Sequence, residues 1–202
     1  MQSEQVLVVP RRFLFRDGEE LQGFFPGENR VLLEKIATGG FYEPRFKVED
    51  DPELKQIITY LVIRFRGFVF IYQRLKASME KRLVSKYSIG LGGHINPCPV
   101  RSFESLILNN LHRELKEEVY LEQPYSCEFL GVVNDETTMV GRHHLGLVYL
   151  ISASSPQIRV REKEKISGRL IPVSELESYR EELESWSLLL VPKIIRVGFH
   201  QA

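Results

Sequence analysis

Cysteine is scarce in this chain of 202 residues: the two present, Cys98 and Cys127, are too few for a disulfide framework and lack the paired spacing of a zinc site. Net charge is missing as well. The 27 basic side chains are balanced by 27 acidic ones, and no run of lysine or arginine builds the positive surface that a nucleic acid or an anionic membrane requires. Long apolar runs are absent too, since stretches such as Leu188 to Val191 fall far short of the roughly 20 residues that span a bilayer. The amino terminus, MQSEQVLVVPRR, has no basic start followed by a long apolar core and does not read as a secretory signal. These absences point to a soluble cytoplasmic protein. With 43% hydrophobic residues it can bury one substantial core and carry a small accessory element. A small charged substrate is compatible with all of this.

The apolar pattern places the elements. VLVVP near the start reads as a strand stopped by Pro10, with RRFLF continuing it. Pro26 to Thr38 is expected to be helical, with Val31, Leu32, Leu33 and Ile36 as its apolar set and Gly39-Gly40 as its stop. EDDP, Glu49 to Pro52, marks a seam, which gives an accessory segment over 1–56 and a main domain over 57–202. From Ile57 the chain alternates strand-like runs: IITYLVIRF, FVFIYQR after Arg66-Gly67, and the run from Leu83 to Leu91. Ser102 is a suitable N-cap for a helix whose buried side repeats at Phe103, Ile107, Leu111 and Leu115. FLGVVND and a long strand from Val140 to Ile151 follow; on that strand His143 and His144 face opposite sides and are not expected to pair as zinc ligands. SELESYREELESW and SLLLVPKII read as one or two amphipathic helices interrupted at Pro192. Strands flanked by helices argue for an α+β chain built as a three-layer α/β/α sandwich with a mixed sheet.

The stretch that carries chemistry is RELKEEVYL, Arg113 to Leu121. On a helix Glu114, Glu117 and Glu118 stand at i, i+3 and i+4, so three like charges converge on one patch of surface. A cation is the natural occupant of the space between them. Composition alone would place such a pattern somewhere in a chain like this with a probability of roughly 0.02. Context strengthens it: YSIGLGGHINP, an apolar strand-like run ending in a glycine pair and a proline-containing loop, precedes the helix.

These residues resemble the signature of the Nudix hydrolases, Gly-x5-Glu-x7-Arg-Glu-U-x-Glu-Glu-x-Gly-U with U aliphatic. Arg113, Glu114, Leu115, Glu117, Glu118 and Leu121 match its second half, and Gly93 fits its opening glycine with Gly92 beside it. The chain departs from the signature in three places. Nineteen residues separate Gly93 from Arg113, about six more than the signature has, and Pro97, Cys98 and Pro99 lie among them. Ser105 stands where the first glutamate belongs, with Glu104 one residue out of register. Tyr120 replaces the last glycine, at a helix end where glycine would turn more easily. Weaker likenesses, in FVFIYQR and RLIPVSEL, extend the resemblance over about residues 57 to 192.

Clustered carboxylates select hard cations such as magnesium or manganese, whose remaining waters a phosphate can replace. The resemblance implies that Glu114, Glu117 and Glu118 hold such ions with a carbonyl of Gly92 or Gly93 as a further ligand, that Arg113 braces a carboxylate, and that a diphosphate linkage in a nucleoside diphosphate derivative is hydrolysed. Glu117 inside the signature, or Glu162 or Glu164 outside it, is the expected general base. Arg74, His94 and Arg142 are candidates for the small phosphorylated substrate, and residues 1–56 for its recognition or for a homodimer interface. A binding protein of the same fold, sensing a nucleotide without turning it over, is the second reading. An isomerase acting on isopentenyl diphosphate shares the glycine-loop histidine and cysteine, but takes metal-binding histidines from upstream, and none precedes His94 here.

Overall fold

A computed structural model describes residues 3–15, 21–27, 29–75, 86–161, 163–164 and 166–199. In chain order the elements are β1 (Gln5–Pro10), α1 (Arg11–Leu14), β2 (Gly23–Pro26), α2 (Arg30–Gly39), β3 (Phe41–Pro44), α3 (Arg45–Val48), β4 (Leu54–Phe65), β5 (Phe68–Arg74), β6 (Tyr87–Ser88) and β7 (Gly90–His94). They continue with α4 (Phe103–Glu118), β8 (Val119–Tyr120), β9 (Tyr125–Asn134), α5 (Met139–His143), β10 (His144–Ala153), β11 (Arg159–Val160), β12 (Ile166–Pro172), a 3-10 helix (Val173–Tyr179) and α6 (Ser185–Phe199). No helix among the described residues is long and apolar enough to cross a membrane. The chain forms two compact units, each discontinuous in sequence. One comprises Met1–Tyr60, Gly92–His112 and Phe129–Val148; the other comprises Leu61–Leu91, Arg113–Glu128 and Tyr149–Ala202. The seam expected after residue 56 falls inside β4.

In the first unit β1 pairs antiparallel with β3, Val8 opposite Phe41, and with β4, Val8 opposite Gln56. Here the strands follow one another in the order β4, β10, β9, β2. Val6, Val8 and Val48 form a buried cluster against which Leu54 packs. The edge strand β2 pairs antiparallel with β9, Pro26 opposite Gly131. Gly131 sits at φ 144°, and a Cβ there would run into the Phe25 carbonyl oxygen, so only glycine permits this close pairing.

The described elements correct several expectations in this unit. Pro26 ends a strand rather than opening a helix: at the end of an edge strand its missing N–H costs no ladder bond, and α2 begins at Arg30. The helix buries Leu32 and Ile36 while Val31 stays 65% exposed, and it stops at the glycine pair, where the Gly40 N–H donates to the Ile36 carbonyl at 3.0 Å. RRFLF does not extend β1, because past Pro10 the chain turns into the short helix α1. The long strand expected from Val140 starts at His144 instead. Thr138 caps α5 by accepting the Gly141 N–H at 3.1 Å, and Asp135 in turn accepts the Thr138 hydroxyl at 2.8 Å. His143 therefore closes a helix and His144 opens a strand, so the two do not share one strand as the alternation suggested.

In the second unit the order is β12, β5, β4, β10. β12 lies antiparallel to β5 along its length, from Ile166 opposite Arg74 to Pro172 opposite Phe68. The strand-like runs on either side of Arg66-Gly67, β4 and β5, form a hairpin, with Arg66 at φ 52° in the turn. β5 also pairs with β6, Tyr72 opposite Ser88. The expected strand from Leu83 lies in part outside the described residues. β8 pairs with β11, Tyr120 opposite Arg159. α6 buries Trp186, Leu190, Val191 and Ile194. Glu184 caps its start, accepting the N–H of Trp186 at 2.8 Å and of Ser187 at 2.7 Å. Pro192 does not interrupt this helix: its ring is exposed and it withholds a single donor from the ladder.

Candidate active site

The helix that carries the acidic residues forms for local reasons. Ser102 accepts the Ser105 N–H at 3.1 Å, and Ile107, Leu111 and Leu115 repeat along the buried side. In the first unit Asn110 fixes that side by donating to the Thr59 hydroxyl at 2.9 Å. The carboxylates lie on the last turn of α4, in the second unit.

There, one guanidinium serves two acids. Arg113 reaches Glu114 at 2.5 Å and Glu117 at 2.9 Å. Glu114 is 5% exposed. Burial raises its carboxyl to about 7; Arg113 opposes that shift, and the charges of Glu117 and Glu118 add to it. Glu117 is open to solvent and Glu118 half-buried. Among the described residues no three histidine, cysteine or acidic side chains are gathered around one cation position. Arg113 holds Glu114 and Glu117 in the arrangement seen.

Tyr120, at the position of the signature's last glycine, needs no left-handed turn. α4 passes directly into β8, and among the described residues Arg66 is the sole non-glycine with positive φ. Arg161 closes the helix end: its N–H donates to the Glu118 carbonyl at 2.9 Å, its Nε donates to the Val119 carbonyl at 3.3 Å, and its guanidinium lies 3.8 Å from the Tyr120 ring centroid. A cation thus meets the negative end of the helix. Sequence reasoning missed Arg161, whose partners lie some forty residues away, and with it the reason tyrosine fits where glycine was expected.

Tyr72 was missed as well. On β5 it is buried and donates to the Gly90 carbonyl at 3.0 Å, and Arg74 donates to its hydroxyl at 3.3 Å. Burial raises the Tyr72 phenol, Arg74 opposes the shift, and the charges of Glu118 and Glu184 add to it, so the field of the acidic turn reaches this residue. Its place on a strand two residues before an arginine, so on the same face, was the signal available.

Of the other candidates, Glu164 is exposed in the second unit, and Glu162 lies outside the described residues. Gly93, His94 and Arg142 belong to the first unit. His94 donates through Nε2 to Gln56 at 2.8 Å, and its ring lies 5.6 Å from that of His144. Arg142 spends its Nε on the Glu136 carbonyl at 2.8 Å.

No protein-family model matches the chain. It is 35% identical over 198 residues to protein YmaB of Bacillus subtilis (strain 168), a likeness spanning 94% of this chain and 96% of YmaB. Among solved structures it is similar to Tm1382, provisionally assigned as a Nudix hydrolase: 30% identity, a TM-score of 0.81, and coverage of 96% of this chain and 100% of Tm1382. The Nudix domain of Shewanella oneidensis NrtR, solved with ADP ribose, shares the fold at 16% identity and a TM-score of 0.52, covering 72% of this chain and 88% of its own. The expected α+β fold with a mixed sheet is therefore the one present. With 30% identity to Tm1382 along almost its whole length, this chain belongs to the Nudix hydrolase family.

Proposed function

We propose that the chain hydrolyses a diphosphate linkage in a nucleoside diphosphate derivative or a related small diphosphate, with magnesium or manganese as cofactor. The observation that carries this reading is the acidic last turn of α4, where Glu114 and Glu117 share the Arg113 guanidinium, Glu118 stands beside them, and the buried Glu114 is raised to about 7 by burial and by the charges of Glu117 and Glu118. Carboxylate oxygens suit a hard divalent cation, which Glu114, Glu117 and Glu118 would hold by turning toward one position, an arrangement they do not have here. When bound, the cation supplies neutralisation of the diphosphate and acidification of a bound water.

The chain's own residues do the rest. Arg113 orients Glu114 and Glu117 by paired hydrogen bonds. The 57% exposure of the Glu117 side chain supports it as the base that takes a proton from the attacking water, with Glu164 as the base outside the signature. Arg74, held on the Tyr72 hydroxyl within reach of the same acidic field, is the substrate-binding candidate in this unit. That the Nudix domain of NrtR holds ADP ribose, itself a nucleoside diphosphate derivative, supports the ligand class. The second reading, a nucleotide sensor without turnover, draws support from the pairing of Arg113 with two of the three acids and from Ser105 in place of the first glutamate.

The test is release of phosphate and nucleotide from nucleoside triphosphates, dinucleotides and nucleotide sugars with magnesium or manganese. Cation-dependent turnover that Glu117→Gln and Glu118→Gln each lower roughly a hundredfold is expected. Binding without turnover would favour the sensor. Turnover indifferent to both changes would place the active site elsewhere.

A further inference from the structure

The two parts of the chain that the Nudix signature does not explain, the opening segment and the extended loop after His94, come together in the first unit. Leu7 donates to the Ile95 carbonyl at 2.8 Å, and Asn96 donates to the Gln5 carbonyl at 2.8 Å, which binds the loop to β1. Between them, the end of α2 and the start of α4 lies a cavity of about 280 Å³. That is close to the lower end of the range for small-molecule pockets. At about 30 Å³ per water molecule in the liquid, it has room for a ligand of roughly ten heavy atoms.

Leu7, Ile36, Val100 and Phe103 give this cavity apolar walls. Its polar side chains are Tyr42, Cys98, Arg101 and Ser102. The Ser102 hydroxyl is already spent on Ser105, to which it donates at 2.9 Å. The other three have no hydrogen-bond or ion-pair partner among the described residues. All three are donors, and no carboxylate or side-chain carbonyl lines the space. Burial first, and then the nearby Cys98, raise the Tyr42 phenol above its ordinary range, so it keeps its proton to donate. Apolar walls beneath uncommitted donors, one of them a guanidinium, complement an acceptor-only head on an apolar body.

We propose that this cavity is a binding site for a small organic acid, its carboxylate held by Arg101 and Tyr42 and its apolar body lying against Leu7, Ile36, Val100 and Phe103. None of these residues belongs to the acidic turn of α4, so the site stands independently of the hydrolytic reading. Cys98, an exposed free thiol on the cavity lining, reports occupancy, and Cys127, also exposed and free but outside the lining, is the internal reference.

The experiment measures iodoacetamide alkylation of both cysteines in the full chain by peptide mass, with phenylacetate and hexanoate as probes and their neutral amides as controls. Saturating acid is expected to slow alkylation of Cys98 several-fold and leave Cys127 unchanged, and the amides should need roughly tenfold higher concentrations for the same effect. Arg101→Gln should erase the difference between acid and amide, and Tyr42→Phe should weaken the acids more than the amides. Equal protection by acid and amide would mean an unspecific apolar hollow and overturn the proposal. Protection by neither, or parallel protection of Cys127, would overturn it equally.

Discussion

Two clusters of buried charge in this chain are built on opposite terms. In the first unit the Glu136 carboxylate receives Lys55 at 2.8 Å, Arg11 at 2.7 Å and the Asn134 amide at 2.7 Å, while Lys55 also donates to the carbonyls of Gly141 and His144. Burial pushes Glu136 up, but the hydrogen bonds from Lys55 and Arg11 outweigh it and the carboxylate ends below its ordinary value. In the second unit Glu114 is more deeply buried, its one cation is shared, its neighbours are acids, and its carboxyl ends up well above the ordinary value. Burial raises both, so the opposite directions follow from the partners, with the deeper burial of Glu114 adding to the contrast. Where several donors meet one carboxylate it is held below its ordinary value; where one shared guanidinium meets neighbouring acids the buried carboxyl rises above it.

The sharpest way to break the matched cluster is Lys55→Ala. It strips Glu136 and two buried carbonyls of one donor, and urea unfolding should show a loss of about 4 kcal/mol, the scale of breaking a buried pair. In the mismatched cluster the sign should reverse. The folded protein holds the Glu114 proton up to about 7 against 4.5 ordinarily, so from pH 4.5 to 7 it binds more protons than the unfolded chain and loses stability as pH rises. Glu114→Gln removes that dependence. Its stability relative to the wild type should improve by up to about 3 kcal/mol between pH 4 and pH 8, measured in chelator by denaturant titration. A flat difference across that range would mean that Glu114 titrates normally.

Glu118→Gln sharpens the contrast from the functional side: a roughly hundredfold fall in turnover, equivalent to about 2.7 kcal/mol, with a thermal midpoint within a few degrees of the wild type. A stability loss as large as that of Lys55→Ala would show the acids to be structural. The smallest effect belongs to Arg161→Ala, which removes the contact with Tyr120 and one hydrogen bond and should cost about 1 kcal/mol in thermal unfolding.

Features set by neighbouring residues were legible in the sequence. The cap at Ser102, the stripe through Leu111, the Arg66-Gly67 hairpin and the acidic turn each arise within a few positions, and each is present. Features set by distant partners were not. Nothing within a few positions of Lys55 reveals Glu136, its partner from 81 positions later in the chain (136 − 55 = 81). Pro26 reads as a helix start because nothing local reveals that β9 will pair beside it. His143 and His144 alternate like strand residues, but the cap that folds them otherwise comes from Asp135 through Thr138. Gln56, the partner of His94, sits 38 residues before it.

The replacement of the terminal glycine also bears on how kindred chains can be found. A pattern anchored on that glycine passes over this chain, yet the substitution leaves two marks of its own: an aromatic in the glycine's place, and an arginine 41 positions on (161 − 120 = 41) that caps the helix. Any sequence carrying both marks, with acids matching Glu114, Glu117 and Glu118, is expected to close this helix with a strand pair and a stacked guanidinium, and the two marks should be gained or lost together.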